Sequence, residues 1–302
     1  MKKLVDYLSS ELDINNKIML EKDILLHKLL INLINNEHFS NNFAFKGGTC
    51  LTKCYIGYYR FSEDLDFTYV RQKEISKESQ KKLRKILSLE INKILEIIVA
   101  VASQLKLDFK ADKSDSKYVQ LGGSNKFSTF KLWYNSEISA QEQFIKIQIS
   151  FFDILVFPIS KRNFVSVLKK KPEGFEFLFP EEKSLFETKK ILCYDLREIL
   201  LEKFRAILTR RGIKVRDFID VYKITKKKKI DYRILRKDII AKIRFMLRYE
   251  KYLQNLAGFK LEEIFLKEGE KLLLESLPKD FNNFVQELQF FLEDIADELQ
   301  RK

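Results

Sequence analysis

Apolar residues recur every three or four positions over several long stretches, a spacing that predicts amphipathic helices. The first stretch covers residues 5–34. A second predicted helix covers residues 75–106 and has polar ends and an apolar middle. From about Thr188 the helical spacing continues to the end of the chain, so residues 186–302 are predicted to form an all-helical domain.

Strand-like segments lie in the first half of the chain. Aromatic and β-branched residues dominate them, which is typical of strands. They cover residues 43–48, 60–70, 117–121, 126–135 and 143–155. Prolines at 158, 172 and 180 predict a loop region after them. The whole pattern predicts the α+β fold class, with a mixed domain over residues 1–185 followed by the helical domain.

The composition is that of a folded protein with a basic surface. The chain has 302 residues, of which 45% are hydrophobic and 33% charged, enough for two domains. Its 56 Lys and Arg residues against 43 Asp and Glu give a formal charge of +13. This excess favours polyanionic partners such as nucleotides or nucleic acid. A lysine-rich surface encoded by an AT-rich genome is an equally weighted explanation.

Cysteine usage and the apolar runs indicate a cytoplasmic protein with no membrane partner. Three cysteines are too few for a disulfide framework and fit a reducing compartment. Cys50 and Cys54 lack a second Cys or His pair that would complete a zinc site, so we interpret them as packing residues. The longest apolar run, from Ile97, is shorter than the ~20 residues of a membrane span. Asp6 and Glu11 interrupt any signal peptide.

Two carboxylates, Asp64 and Asp66, are the first candidates for chemistry. Alternate residues of a strand share a face, so the two side chains project together with their Cα atoms ~7 Å apart. Hard cations such as Mg²⁺ prefer oxygen ligands, typically one or two carboxylates together with substrate phosphates. The competing interpretation is a solvated polar face of an edge strand. Leu65, Phe67 and Tyr69 alternate with the acids and favour a strand with one buried face.

A glycine turn lies just upstream of these acids. It consists of Lys46, Gly47, Gly48 and Thr49, which follow a predicted strand and open a helix. Glycines allow close backbone approach, and free N–H groups at the start of a helix attract phosphate. The Thr49 hydroxyl would add a donor. The spacing is not that of a Walker A motif, and a simple tight turn is the alternative.

Together these residues resemble the AbiEii/AbiGii toxin family. The segments that carry the resemblance are FKGGTCLTKCY at residues 45–55 and RFSEDLDF at 60–67. It is dense over residues 20–70 and thinner over 145–222. That family belongs to the DNA polymerase β-like nucleotidyltransferase superfamily and supplies the toxins of type IV-like toxin–antitoxin and phage-abortive systems. The resemblance implies a polymerase β-like core, a mixed sheet with flanking helices.

The resemblance also implies roles for individual residues. Asp64 and Asp66 would bind Mg²⁺ or Mn²⁺, and the glycine turn would contact the triphosphate of an NTP substrate. The family has a lysine in a K-x-x-A pattern, here Lys203, and an acid in an R-D-h-h-D pattern, here Asp217. Both are candidate catalytic residues, and Lys203 is also a candidate phosphate contact. The helical domain would thereby contribute to the active site.

The helical neighbours of Lys203 support an anion-binding role independently. Those at three, four and seven residues are apolar apart from Arg210. A lysine on such a stripe must either extend to solvent or meet an anion, and we favour a triphosphate as that anion. For Asp217 a surface position stays open, because Arg216 and Asp220 at i,i+4 predict an ion pair there.

One segment departs from the family pattern. Family strands often carry K-x-[DE], which places a third carboxylate opposite the pair, whereas this chain ends the segment with Gln148. Gln148 is neutral and cannot act as a base, and Asp153 falls on the opposite strand face by parity. This weakens a three-carboxylate, two-metal mechanism. A one-metal mechanism, or a base supplied by Asp217, is then the hypothesis.

The predicted function is that of an Mg²⁺-dependent nucleotidyltransferase toxin that transfers NMP from an NTP to an acceptor hydroxyl. The resemblance makes a tRNA 3′ end the first expectation and a cognate antitoxin protein an expected partner. Basic runs at residues 169–171, 210–211 and 226–229 are candidate RNA phosphate contacts. Two alternatives stay open: a pseudoenzyme that binds nucleotide or antitoxin, which Gln148 favours, and a small-molecule nucleotidyltransferase of the antibiotic-modifying kind.

Overall fold

The chain divides into two compact units. Unit 1 comprises Met1–Asp153 and Ile159–Cys193, and unit 2 comprises Ile154–Pro158 and Tyr194–Lys302. The computed structural model describes residues 1–168, 170–259 and 272–301. Each unit has its own buried apolar core.

A mixed seven-stranded sheet is the centre of unit 1. Its strands are β1 (Phe43–Lys46), β2 (Asp64–Tyr69), β3 (Val119–Gly122), β4 (Phe127–Asn135), β5 (Glu142–Ser150), β6 (Ser160–Phe164) and β7 (Lys189–Cys193). The spatial order is β3-β4-β5-β2-β1-β7-β6. The pairs β2–β5 and β1–β7 are parallel, and the other neighbours are antiparallel. β1 and β2 are therefore interior strands.

Burial alternates at the start of β2. Leu65 and Phe67 are fully buried, whereas Asp64 and Asp66 are only partly buried. Alternate side chains of a strand point to opposite faces. One face of β2 is therefore packed in the core and the two carboxylates share the other, which confirms the predicted alternation. Because β2 has a neighbour on each side, the edge-strand interpretation is wrong.

Seven α-helices accompany the sheet in the described part of unit 1. They are α1 (Lys2–Glu11), α2 (Lys17–Asn35), α3 (Glu37–Asn42), α4 (Gly47–Cys50), α5 (Gln72–Ile75), α6 (Gln80–Leu105) and α7 (Phe175–Leu178). α4 continues into a π-helical turn, Leu51–Ile56, and a 3₁₀ helix covers Pro180–Phe186. The single helix predicted over residues 5–34 is two helices. The Asn16 side chain caps α2 by accepting the Met19 N–H at 3.1 Å.

The regular structure in the described residues of unit 2 is helical, which confirms the helical C-terminal region. The helices are α8 (Leu196–Thr209), α9 (Val215–Lys228), α10 (Arg236–Leu247), α11 (Glu250–Ala257) and α12 (Phe281–Gln300), with a 3₁₀ helix at Tyr232–Leu235. Within the described ranges of the whole chain, no helix has the length and apolar character that a bilayer crossing requires.

The division between the units differs from the predicted boundary at residues 185 and 186. β6 and β7 were not predicted, and the expectation of helices alone from Thr188 is wrong for β7. β7 pairs with β1 on one side and with β6 on the other, so it belongs to the sheet of unit 1. Five residues are too few to display a period, and only partners distant in sequence identify this segment as a strand.

A buried ion pair connects α2 to the π-helical turn. The Lys53 Nζ lies 3.0 Å from Asp23 Oδ1, and both side chains are buried. The Tyr58 hydroxyl donates to Asp23 Oδ2 at 2.8 Å and accepts a hydrogen bond from Lys53. Burial lowers the pKa of Lys53, and the Asp23 carboxylate opposes that shift. The pair holds the segment after the glycine turn against α2.

A second buried cluster organises unit 2. The Lys242 Nζ lies 2.6 Å from Glu198 Oε1 and donates to the Ile154 carbonyl at 2.6 Å. Glu198 also accepts two backbone N–H bonds at 2.8 Å from the 154–158 segment. These bonds explain why Ile154–Pro158 belongs to unit 2 although unit 1 residues flank it in sequence.

Replacing Lys53 by methionine is expected to lower the free energy of unfolding by about 3–5 kcal/mol, because Asp23 would stay buried without a counter-charge. The matched control is Lys17→Met, which removes a pair with Asp6 in which both side chains are 43% exposed. That change should cost far less, because solvent screens an exposed pair. Urea denaturation measures both. Equal losses would show that the buried pair does not constrain the fold.

Candidate active site

The carboxylate of Asp66 lies directly against the backbone of Gly47. In the antiparallel pair of β1 and β2, Lys46 is the register partner of Asp66, so Gly47 follows at the end of β1. Gly47 has φ +78°, and a Cβ atom built there would overlap Asp66 Oδ2. Glycine is therefore required at position 47 for two reasons: the backbone is left-handed, and the carboxylate fills the space that a side chain would need.

Gly48 is held against a different side chain, that of Arg60. A Cβ on Gly48 would lie 2.5 Å from an Arg60 guanidinium nitrogen and 3.1 Å from Ser62 Oγ. Arg60 is 2% exposed, and its Nη1 donates to the Phe61 carbonyl at 2.7 Å. In the sequence Arg60 was only part of the RFSEDLDF segment. Its packing beneath the glycine turn was not predicted, because a lone arginine before an apolar residue carries no sign of burial.

The Thr49 hydroxyl lies inside the protein. Thr49 is 1% exposed, and its Oγ1 donates to the Asp64 carbonyl at 2.5 Å and lies 2.9 Å from Ser62 Oγ. The sequence assigned this hydroxyl to a phosphate. In the structure it ties the start of α4 to the start of β2.

Asp64 has a lysine beside it. Parallel pairing places Lys146 of β5 opposite Asp64, and the Lys146 Nζ lies 3.2 Å from Asp64 Oδ2. The side chains are 34% and 22% exposed, respectively. The lysine compensates part of the repulsion between the two carboxylates of β2, which share one face.

Gln148 is the register partner of Asp66. It occupies the position at which the family pattern has a third carboxylate, and it is partly buried. The parity argument against Asp153 does not apply, because β5 ends at Ser150. The Asp153 Oδ2 lies 3.3 Å from the Lys46 Nζ, so this carboxylate is connected to the glycine turn. Asp153, which the sequence analysis judged to be on the opposite strand face, therefore lies near the candidate site.

The residues of unit 1 have the donors that a hard divalent ion requires. Asp64 and Asp66 present carboxylate oxygens on one face of β2, and neither side chain is fully buried. Mg²⁺ is usually bound by one or two carboxylates together with substrate phosphates, and this pair fits that pattern. The amide oxygen of Gln148 would add a neutral oxygen ligand to the two carboxylates.

Lys203 in unit 2 is buried and meets two carboxylates. Its Nζ lies 2.9 Å from Asp217 Oδ1 and 2.6 Å from Asp220 Oδ2. Lys203 is 8% exposed, Asp217 2% and Asp220 0%. Lys203 therefore pairs with two carboxylates of the chain, and its contact with a triphosphate stays a prediction. The surface position left open for Asp217 is wrong, because Asp217 is buried; Asp220 is buried as well and bonds Lys203.

Asp217 bonds a second cation as well, since Arg210 Nη1 lies 2.6 Å from its Oδ2. Burial raises the pKa of Asp217, but Lys203 and Arg210 outweigh burial and hold that pKa below its usual value. A carboxylate with a lowered pKa is a poor proton acceptor near neutral pH. Asp217 therefore suits the orientation of Lys203 better than the role of base that the sequence left open.

The structure brings together the glycine turn, Asp64 and Asp66 within unit 1. Within unit 2 it brings together Lys203 and Asp217. Arg60, Lys146 and Asp153 join the first group, and none of them was a predicted site residue.

Comparison with known proteins identifies the family. The sequence model described as nucleotidyl transferase AbiEii toxin, Type IV TA system, matches residues 28–301. No curated protein matches the chain. The solved structure of JHP933 from Helicobacter pylori has a TM-score of 0.43 and 16% identity, and 94% of each chain is covered. That of a candidate nucleotidyltransferase from H. pylori has a TM-score of 0.41 and 17% identity, and covers 93% of this chain and 96% of that one.

Since the family match spans nearly the whole chain, the protein is a nucleotidyltransferase and belongs to the AbiEii toxin family of type IV toxin–antitoxin systems.

Proposed function

We propose that this nucleotidyltransferase uses Mg²⁺ and an NTP to add a nucleoside monophosphate to the 3′ end of a tRNA. The acceptor hydroxyl attacks the α-phosphorus, and a new phosphodiester bond forms. The bond from the α-phosphorus to its bridging oxygen breaks, pyrophosphate leaves, and the hydroxyl proton passes to solvent. Family membership supports the transferase chemistry; the metal, the acceptor and the residue roles are the proposal.

The observation that carries the proposal is the contact between Asp66 and Gly47. This contact supports the proposal because a carboxylate pair lies beside the partly buried backbone of a glycine turn. A triphosphate needs backbone N–H donors close by, and its metal ion needs carboxylate oxygens next to those donors. A tight structural turn has no need of two carboxylates on the same side.

Each residue of unit 1 has a distinct task in this proposal. Asp64 and Asp66 hold Mg²⁺, which, when bound, neutralises charge on the triphosphate. Lys46, Gly47, Gly48 and the backbone of Thr49 contact the phosphates. Lys146 lies beside Asp64 and limits the repulsion between the carboxylates while no ion is bound.

Lys203 and Asp217 are the proposed contribution of residues 186–302 to catalysis. The family pattern assigns Lys203 to the phosphates, and its burial beside Asp217 and Asp220 supports a fixed orientation. A preoriented ammonium loses less conformational entropy when it meets an anion. Asp217 acts as a positioning residue for Lys203.

RNA is the acceptor that the charge of the chain favours. The exposed basic residues of these runs include Arg211, Lys227, Lys228 and Lys229. Lys226 pairs with Asp280 at 2.9 Å and Lys171 with Glu176 at 2.7 Å, so the basic runs are partly compensated. Lys169, which belongs to one run, lies outside the described residues. The proposed location of the protein is the cytoplasm. Its second proposed partner is the cognate antitoxin that the family implies.

The direct test uses purified protein, total tRNA, Mg²⁺ and each NTP labelled at the α-phosphate. We expect label in tRNA with the wild type and a loss of at least about 100-fold with Asp66→Asn, because an ion held by one carboxylate is poorly placed. Glu96→Gln, an exposed position on α6, is the matched charge change and should keep full activity.

The other outcomes decide against parts of the proposal. Label in protein or in a small molecule, with no dependence on tRNA, would overturn the RNA acceptor and leave the chemistry. Bound NTP without pyrophosphate release under any condition would favour the pseudoenzyme, for which the neutral Gln148 is the specific observation.

Gly47→Ala is expected to abolish transfer, because its methyl group would overlap the Asp66 carboxylate. Gly174→Ala is the matched control, since Gly174 has φ +70° and nothing within 4 Å of an added Cβ. Both substitutions carry a left-handed backbone cost of about 1–2 kcal/mol, but only the first displaces Asp66. Transfer assays and thermal melts separate the two effects. Equal activity in both variants would contradict the assigned contact.

Gln148→Glu is expected to increase the affinity for Mn²⁺, because a third carboxylate would stand opposite Asp66. Electron paramagnetic resonance of free Mn²⁺ measures this without any acceptor. Gln120→Glu, an exposed position on β3, adds the same charge elsewhere on the sheet and should leave the affinity unchanged. An unchanged affinity in both variants would show that residue 148 does not face the metal site.

A further inference from the structure

The three cysteines of the chain converge in unit 1. Cys50 ends α4, Cys54 lies in the π-helical turn, and Cys193 ends β7. Their sulfur atoms all lie within 4.8 Å of one another, and all three are free thiols. Cys50 and Cys193 are fully buried, and Cys54 is partly exposed. The interpretation of Cys50 and Cys54 as mere packing residues omitted the third sulfur.

Strand pairing in the sheet brings the third sulfur atom, that of Cys193, close to the other two. β1 and β7 are parallel, and Cys193 is the register partner of Phe45. This pairing places Cys193 beside the helix that begins with the glycine turn. Three mutually close sulfur atoms are the donor set of soft metal ions. With metal–sulfur bonds of ~2.3 Å, sulfur ligands stand roughly 4 Å apart, which the observed spacing accommodates.

Two hydroxyl groups lie beside the Cys193 sulfur. The Tyr55 hydroxyl lies 3.5 Å and Ser160 Oγ 3.8 Å from the Cys193 Sγ. Hydrogen bonds from Cys50 and Cys54, and from these hydroxyls, hold the pKa of Cys193 well below its usual range, whereas the hydrogen bond to Cys193 raises the pKa of Cys54. Burial raises the pKa of Cys50. The thiolate is the form of cysteine that binds metal, and the closeness of the three sulfur atoms is what indicates a site.

We propose that Cys50, Cys54 and Cys193 form a thiolate site for one soft metal ion of the Zn²⁺ or Cu⁺ class. Each ligating thiol releases its proton to solvent as its metal–sulfur bond forms, and nothing is oxidised or reduced. The ion fastens α4 to β7. Because α4 begins at Gly47, the site stabilises the glycine turn from behind, independently of the transfer reaction.

This site is chemically distinct from the carboxylate pair. Asp64 and Asp66 offer hard oxygen ligands, which suit Mg²⁺, whereas the cysteines offer soft sulfur ligands. Cd²⁺ is a suitable probe, since only thiolate ligation produces a sulfur-to-metal charge-transfer band. The chain has no fourth cysteine, so such a band reports these three residues alone.

The experiment titrates Cd²⁺ into the full-length protein, kept reduced by a phosphine. We expect the band to saturate at one equivalent and to persist in Asp66→Asn. Cys54→Ser changes a partly exposed residue and removes a direct metal ligand. Cd²⁺ binding should therefore weaken by more than about 10–100-fold, which is the loss expected when only an outer-shell partner is removed. Cys193→Ser tests the same site from the strand side. Zn²⁺ in large excess should compete with Cd²⁺ for the site. Zn²⁺ alone should protect Cys54 from alkylation and raise the melting temperature with its free concentration.

Absence of the band in the reduced wild type would overturn the proposal. So would a band of unchanged affinity in both serine variants, provided that circular dichroism shows them folded. In Asp66→Asn we expect transfer activity to be lost and the charge-transfer band to be retained, which separates the two sites. If the proposed catalytic function is wrong, the band still tests the cysteine site.

Discussion

The contact between the Asp66 carboxylate and the Gly47 backbone is the constraint on which the arrangement of unit 1 depends. Because β1 and β2 are antiparallel neighbours, the end of β1 lies beside the acid. No side chain fits at residue 47 while the carboxylate occupies that space. The Thr49 hydroxyl then ties α4 to the Asp64 backbone. The glycine turn and the two carboxylates are consequently packed against each other.

A second theme is that lysines inside this basic protein meet carboxylates of their own unit. Lys53 bonds Asp23, and Lys242 bonds Glu198. Lys203 bonds a pair of carboxylates in the same way. A buried charge is tolerated only when it is paired and hydrogen-bonded. The net charge of +13 therefore describes the surface that a polyanion would meet, whereas the interior is locally compensated.

The carboxylates and the cysteines show how far sequence patterns reach. Asp64 and Asp66 are neighbours on one strand face, and their alternation with Leu65 and Phe67 is visible in the local sequence. Cys50 and Cys54 are visible as a pair four residues apart. Cys193 follows them by more than a hundred residues, so only the pairing of β7 with β1 places the third sulfur next to them.

The sequence by itself determined the fold class, the long helices, the alternation along β2 and the glycine turn, because these depend on neighbours a few residues away. The tertiary structure alone decided that β7 belongs to the sheet, that Arg60 lies beneath Gly48, and that Lys203 meets Asp217 and Asp220 in the interior. The physical reason is that burial and strand pairing join residues far apart in the chain. Such partners leave no periodic trace in the sequence.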